Sequence, residues 1–176
     1  SEDRKFWEAI DEIIAIGREA NLPVQISHVK LAMRSLWGEA PRLLAKLDEA
    51  RAQGVDVTAD IYPYLYWHST LTVLFPERDF EDLDEARRVL AEIAPAEGLL
   101  LGRYLPHPAY AGRTVAAIAA ERDEAPEATL LALIRDAEAM RRRGKADVES
   151  VIGTSMIEPD LERLMAWAHT NLCTDG

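Results

Sequence analysis

Three short stretches of this sequence bring together side chains that can do chemistry. In the first, Ile26-Ser27-His28-Val29-Lys30, an imidazole and an ammonium stand two residues apart at the end of an apolar run. If that run is a strand reaching Lys30, alternation puts both groups on one side. Imidazole is the commonest metal ligand, and an ammonium beside it can hold a substrate carboxylate. A strand-end histidine serves equally well as a structural residue. The second stretch, Asp60-Ile61-Tyr62-Pro63-Tyr64, sets a carboxylate and two phenols at alternate positions, with Pro63 stiffening the exit. Phenols can bind an anionic group, or simply pack as aromatic cover. The third, Thr174-Asp175-Gly176, follows another apolar run. An aspartate there is either a cap or turn residue or a base beside a metal-activated water.

These groups need a framework that gathers strand ends. Phe6, Ile10, Ile13, Ile14 and Gly17 recur at helical spacing, so residues 2 to 20 read as an amphipathic helix ended by Asn21 and Pro23. Pro23 to His28 reads as a short buried strand. Glu39 to Gln53 supplies a helix with Leu43, Leu44, Leu47 and Ala50 on its apolar face, and Gly54 is its natural C-cap. Val55 to Tyr62 is rich in β-branched residues and partly alternating, which makes it a second strand closed by Pro63. From Tyr64 to Tyr110 the pattern loosens into aromatics and prolines around a helix-like stretch, Asp84 to Ala94. Helical patterns at Thr114 to Arg122 and Glu127 to Arg143 lead to a strand at Ser150 to Gly153. A last helix, Glu158 to Ala168, precedes a final strand, Thr170 to Thr174. Four strands separated by helices are the signature of parallel βα units, whose functional groups collect at the carboxyl edge of the sheet.

The 176 residues, 48% hydrophobic and 29% charged, are enough for one sizeable core. Acidic residues outnumber basic ones 31 to 20, and the net charge of -11 is spread along the chain, which argues against nucleic acid as a partner. No apolar run approaches a membrane span, and Ser1 to Lys5 does not resemble a signal peptide, so no membrane partner is expected. With one cysteine, Cys173, no internal disulfide can form, and a cytoplasmic location is the expectation. The chain opens on a helical pattern and stops after a strand-like run, as a fragment would.

In combination, His-x-Lys, Asp-x-Tyr-Pro-Tyr and Asp-Gly at successive strand ends are far more specific than any one of them. Ile14-Ala15-Ile16-Gly17-Arg18-Glu19-Ala20, followed by Pro23 to Lys30, resembles the stretch that leads into the Ser-His-x-Lys motif of the N-acyl-D-amino-acid deacylases (D-aminoacylases). Asp60-Ile61-Tyr62-Pro63-Tyr64, Ser69-Thr70, Gly112-Arg113-Thr114 and Cys173-Thr174-Asp175-Gly176 follow in the family's order. The resemblance is strongest at the two ends of the chain and weakest from Phe75 to Pro108.

It implies a zinc-dependent (β/α)8 TIM-like barrel of the amidohydrolase superfamily, of which this chain is the C-terminal portion, about strands 5 to 8. Residues 1–70 and 136–176 would be barrel βα units, and 71–135 an insertion covering the active site. By motif position His28 binds zinc and Asp175 is catalytic and a metal ligand, while Lys30, Tyr62 and Ser69 bind the carboxylate of an N-acyl-D-amino acid. The sequence carries one residue more between Tyr64 and Ser69 than the family pattern. The neighbouring Tyr66 and Trp67 lean toward an apolar substrate side chain.

The family's His-x-His, its bridging cysteine and a further histidine have no counterpart here. Cys173 stands two residues before the last-strand aspartate and reads as a buried structural residue. His68, His107 and His169 lack ligand spacing and read as loop or surface residues. A catalytic zinc takes three protein ligands, so the chain alone is expected to be inactive and to need the N-terminal half of the barrel. Open strand edges should otherwise lead to self-association. The alternatives are a cyclic amidase of the dihydroorotase or hydantoinase kind, and a non-catalytic α/β ligand-binding module.

Overall fold

Helix α1, Phe6–Ala20, forms where the periodic apolar residues demand it, burying Phe6, Ile10, Ile14 and Gly17. The computed structural model describes residues 5–174. Gly17 is required by close approach: a Cβ there would lie 2.9 Å from Val55 Cγ1 and 3.2 Å from Val24. Asn21, at φ 51°, ends the helix in the left-handed conformation that asparagine tolerates.

The chain divides into two compact units. The first comprises 1–65 and 155–176, and the second 66–154.

The first unit holds a parallel sheet of β1 (Val24–Ile26), β2 (Val57–Ile61) and β6 (Thr170–Leu172), with β2 in the centre. Val24 pairs with Val57 and Ile26 with Ala59, while Ala59 pairs with Thr170 and Ile61 with Leu172. Val57, Ala59 and Ile61 are fully buried in a core with Phe6, Ile10, Leu43 and Leu47. Thr58 and Asp60 therefore point to the opposite face of the sheet. Helix α2 (Ala40–Ala52) is anchored at its start by Asp160 of α6 (Glu158–Ala166). That carboxylate, 1% exposed, accepts the Gly38 N–H at 2.6 Å and the Ala40 N–H at 3.3 Å. It occupies the donors that a helix start leaves unsatisfied.

The second unit is built on an antiparallel sheet in which β5 (Glu149–Thr154) lies between β3 (Tyr66–Ser69) and β4 (Leu99–Tyr104). Helices α3 (Leu83–Arg88), α4 (Val115–Arg122) and α5 (Pro126–Arg142) accompany it. Leu99, Leu101, Ile118, Leu130, Ile134 and Val151 form part of its core. Glu149, 4% exposed, accepts the Leu71 N–H at 3.1 Å and the Arg141 guanidinium at 2.6 Å.

The expectation of four parallel strands is corrected here. The strand at Ser150 to Gly153 is the centre of the antiparallel sheet, because its hydrogen-bonding edges are taken by β3 and β4. In this second unit Tyr66 pairs with Thr154 and Ser69 with Val151. Among the described residues no helix is long and apolar enough to cross a membrane.

Candidate metal centre

The first unit's strand ends are organised by one carboxylate. Asp60 lies on β2's non-core face, and Asp60 Oδ1 accepts the His28 backbone N–H at 2.6 Å. Oδ1 also accepts the Cys173 thiol at 3.3 Å, while Oδ2 accepts the Gln25 side-chain amide at 2.6 Å. Burial opposes ionisation of Asp60, but the hydrogen bonds from His28, Cys173 and Gln25 outweigh it, holding the carboxyl below its usual pKa.

His28 does not continue β1. The strand stops at Ile26, and His28 turns at φ 53°, a left-handed conformation for which histidine is among the enriched residues. The following Val29 N–H returns to the Asp60 main-chain oxygen at 2.8 Å. The alternation expected to unite His28 and Lys30 is thus replaced by a turn, which nonetheless keeps both beside Tyr62. The His28 and Tyr62 rings are 5.9 Å apart, and Lys30 Nζ lies 5.3 Å from the centre of the Tyr62 ring. Lys30 and Tyr62 are both buried, and Tyr64 stacks on Tyr62 at 6.2 Å. Lys30 is 8% exposed as a residue, with its charge beside the aromatic face of Tyr62.

His28, Asp60 and Cys173 each present one donor atom, and the three lie within 4.8 Å of one another. Imidazole nitrogen, carboxylate oxygen and thiolate sulfur are a donor set suited to zinc. Of the residues singled out in the sequence, His28, Lys30 and Tyr62 therefore come together. Ser69 lies in β3 of the second unit, opposite Val151. Asp175 lies outside the described residues.

His68 and His107 are exposed and His169 is half-buried against Trp167. Trp67 packs against the second unit's core, over Gly153. Asp60 was legible as a strand-end carboxylate but not as the group that fixes His28. Cys173 is half-buried rather than fully buried. It directly follows β6, and its thiol reaches Asp60, a contact across adjacent chain segments that residue spacing alone did not signal.

No protein-family model matches the chain. A 112-residue stretch is 38% identical to the N-acyl-D-glutamate deacylase of Alcaligenes xylosoxydans xylosoxydans, covering 64% of this chain and 20% of that protein. The D-aminoacylase of the same organism is 28% identical over 173 residues, 96% of this chain and 28% of its own length. This chain matches a segment of the N-acyl-D-amino-acid deacylases. Solved structures agree. The N-acyl-D-glutamate deacylase of Bordetella bronchiseptica, complexed with zinc and a phosphonate inhibitor, superimposes over the whole chain with a TM-score of 0.70 and 26% identity. A D-aminoacylase described as defining a novel subset of amidohydrolases gives 0.69 and 27% over 98% of the chain. The chain spans 31% and 30% of those two deacylase structures.

Proposed function

We propose that this chain supplies part of the active site of a zinc-dependent N-acyl-D-amino-acid deacylase. The observation that carries the reading is the convergence of His28 with buried Lys30 and Tyr62 at the carboxyl ends of β1 and β2, where an α/β barrel keeps its chemistry. The parallel sheet supports the C-terminal portion of a (β/α)8 barrel. If β6 is the last barrel strand, as the resemblance implies, β1 and β2 are the sixth and seventh, and the second unit is inserted in sequence between the seventh and eighth.

In this reading His28 holds zinc through its imidazole. Zinc, when bound, polarises the acyl carbonyl and the attacking water. Lys30 and Tyr62 grip the free carboxylate of the substrate, the first by charge and the second by its phenol. Asp175 takes the water's proton and returns it to the leaving amine. Fixing the carboxylate at one point and the acyl carbon at another lets only one enantiomer present its amide correctly, which would give D-selectivity. The remaining ligands come from barrel strands outside this chain, so the chain alone is inactive.

The test is chiral analysis of the amino acid released from racemic N-acetyl-amino acids by the complete barrel protein supplied with zinc. Release of the D enantiomer alone, lost together with bound zinc in His28→Ala, is the expected result. Zinc binding without release would favour a cyclic amidase, and neither zinc nor release a non-catalytic binding module.

A further inference from the structure

The cluster at His28 contains two donors to which the deacylase resemblance gives no metal role. Asp60 lies on β2 and Cys173 directly follows the adjacent β6, where the Cys173 N–H donates to the Ile61 oxygen at 3.0 Å and continues the β2–β6 pairing by one bond. The Cys173 Sγ and Asp60 Oδ1 are 3.3 Å apart. Two donors on one tetrahedral zinc, with bonds of about 2.0–2.3 Å, are separated by roughly 3.3–3.8 Å. That pair already has the spacing of two ligands on one ion. The imidazole is the third donor, within 4.8 Å of both.

We infer that Cys173, Asp60 and His28 form a binding site for a thiophilic divalent cation, built wholly from this chain, in which Cys173 binds as thiolate. The ion takes the place of the thiol proton between Sγ and Oδ1. One S–H bond breaks, one sulfur–metal bond forms, and the proton leaves to solvent, with no change of oxidation state. Asp60 keeps its bond to the His28 N–H, because each carboxylate oxygen has more than one acceptor direction. The donor set selects zinc, cadmium or cobalt over magnesium and calcium, which prefer all-oxygen shells. The site shares His28 with the proposed deacylase centre but does not depend on hydrolysis. It is available only while Cys173 is reduced.

The experiment is a titration of the reduced, metal-stripped chain with cadmium ion alone, followed by thiolate-to-metal charge-transfer absorption in the ultraviolet. Because Cys173 is the only cysteine, any such band reports this residue. The expected result is a band that saturates at one ion per chain, with a matching proton release in weak buffer and no competition from magnesium. Cys173→Ser should abolish it, and His28→Gln and Asp60→Asn should each weaken binding by about tenfold or more. As a measurement that needs no variant, zinc should slow alkylation of Cys173 in the unmodified chain. Absence of the band, or a band unaffected by both His28→Gln and Asp60→Asn, would overturn the site. D-specific hydrolysis without a thiolate band would remove this inference and leave the deacylase reading standing, and the converse result would do the opposite.

Discussion

Asp60 is the residue on which the geometry of the first unit's strand ends depends most. Replacing it by alanine removes the acceptor for the partly buried His28 N–H at 2.6 Å, the Gln25 amide at 2.6 Å and the Cys173 thiol at 3.3 Å. A hydrogen bond to a charged group contributes about 1.5–3 kcal/mol. Only the His28 bond earns that range, since the Gln25 contact is exposed and a thiol is a weak donor. The left-handed turn at His28 does not add to this, because its strain is already present in the parent fold and can only be relieved when the bond is lost. The expected loss for Asp60→Ala is therefore about 1.5–3 kcal/mol. Asp60→Asn, which keeps a neutral acceptor, should lose about 1 kcal/mol. Urea denaturation followed by tryptophan fluorescence gives the stability change, and amide exchange at His28 gives the local one. A loss below about 0.5 kcal/mol, or equal losses for the two variants, would show that His28 keeps its turn by other means.

Other regions yield sharp expectations. Gly153→Ala would set a methyl 2.2 Å from the Trp67 ring, so overpacking should cost the second unit about 1–3 kcal/mol and shift its tryptophan emission in a thermal melt. Asp160→Ala strips the buried acceptor from the start of α2, and equilibrium unfolding should reveal a loss of about 2–3 kcal/mol. Burial, and next the charge of Asp136, push the Tyr104 phenol above its usual pKa. A folded value above the unfolded one means full stability below about pH 10 and a decline as pH rises past it, so Tyr104→Phe should flatten the alkaline limb of a stability profile. Size-exclusion chromatography of the chain alone should show self-association through the open edges of β1 and β6, and a well-behaved monomer would count against the partial-barrel reading.

The sequence made the first unit largely legible because its elements obey one rule each. The helical period of Phe6, Ile10 and Ile14 and of Leu43 and Leu47 recovers α1 and α2, and the β-branched run before Pro63 recovers β2. β5 was visible as a strand but not as an antiparallel one, since Ser150 to Gly153 reads identically in either sense until its partners are known. Those partners were hidden: β3 lies among aromatics, and β4 is an apolar run between prolines, bulged between Leu101 and Arg103. His28, Lys30 and Tyr62 stood out by residue type. The dihedral angle of His28 did not, because it arises from a carboxylate more than thirty residues away in sequence.

The second unit departs from the first at Leu65 and re-enters at Ser155, and both the Ser155 and Met156 N–H groups reach the single Leu65 carbonyl, at 2.8 and 3.3 Å. Its two junctions are thus already pinned like the ends of a tight loop, and what hangs between them imposes little on the parallel sheet beyond a closure entropy that grows only slowly with length. Evolution could lengthen, trim or exchange that excursion while β2 and β6 stay paired. Changes of length or sequence within that excursion would then leave the Asp60 hydrogen bonds at the ends of β1 and β2 in place.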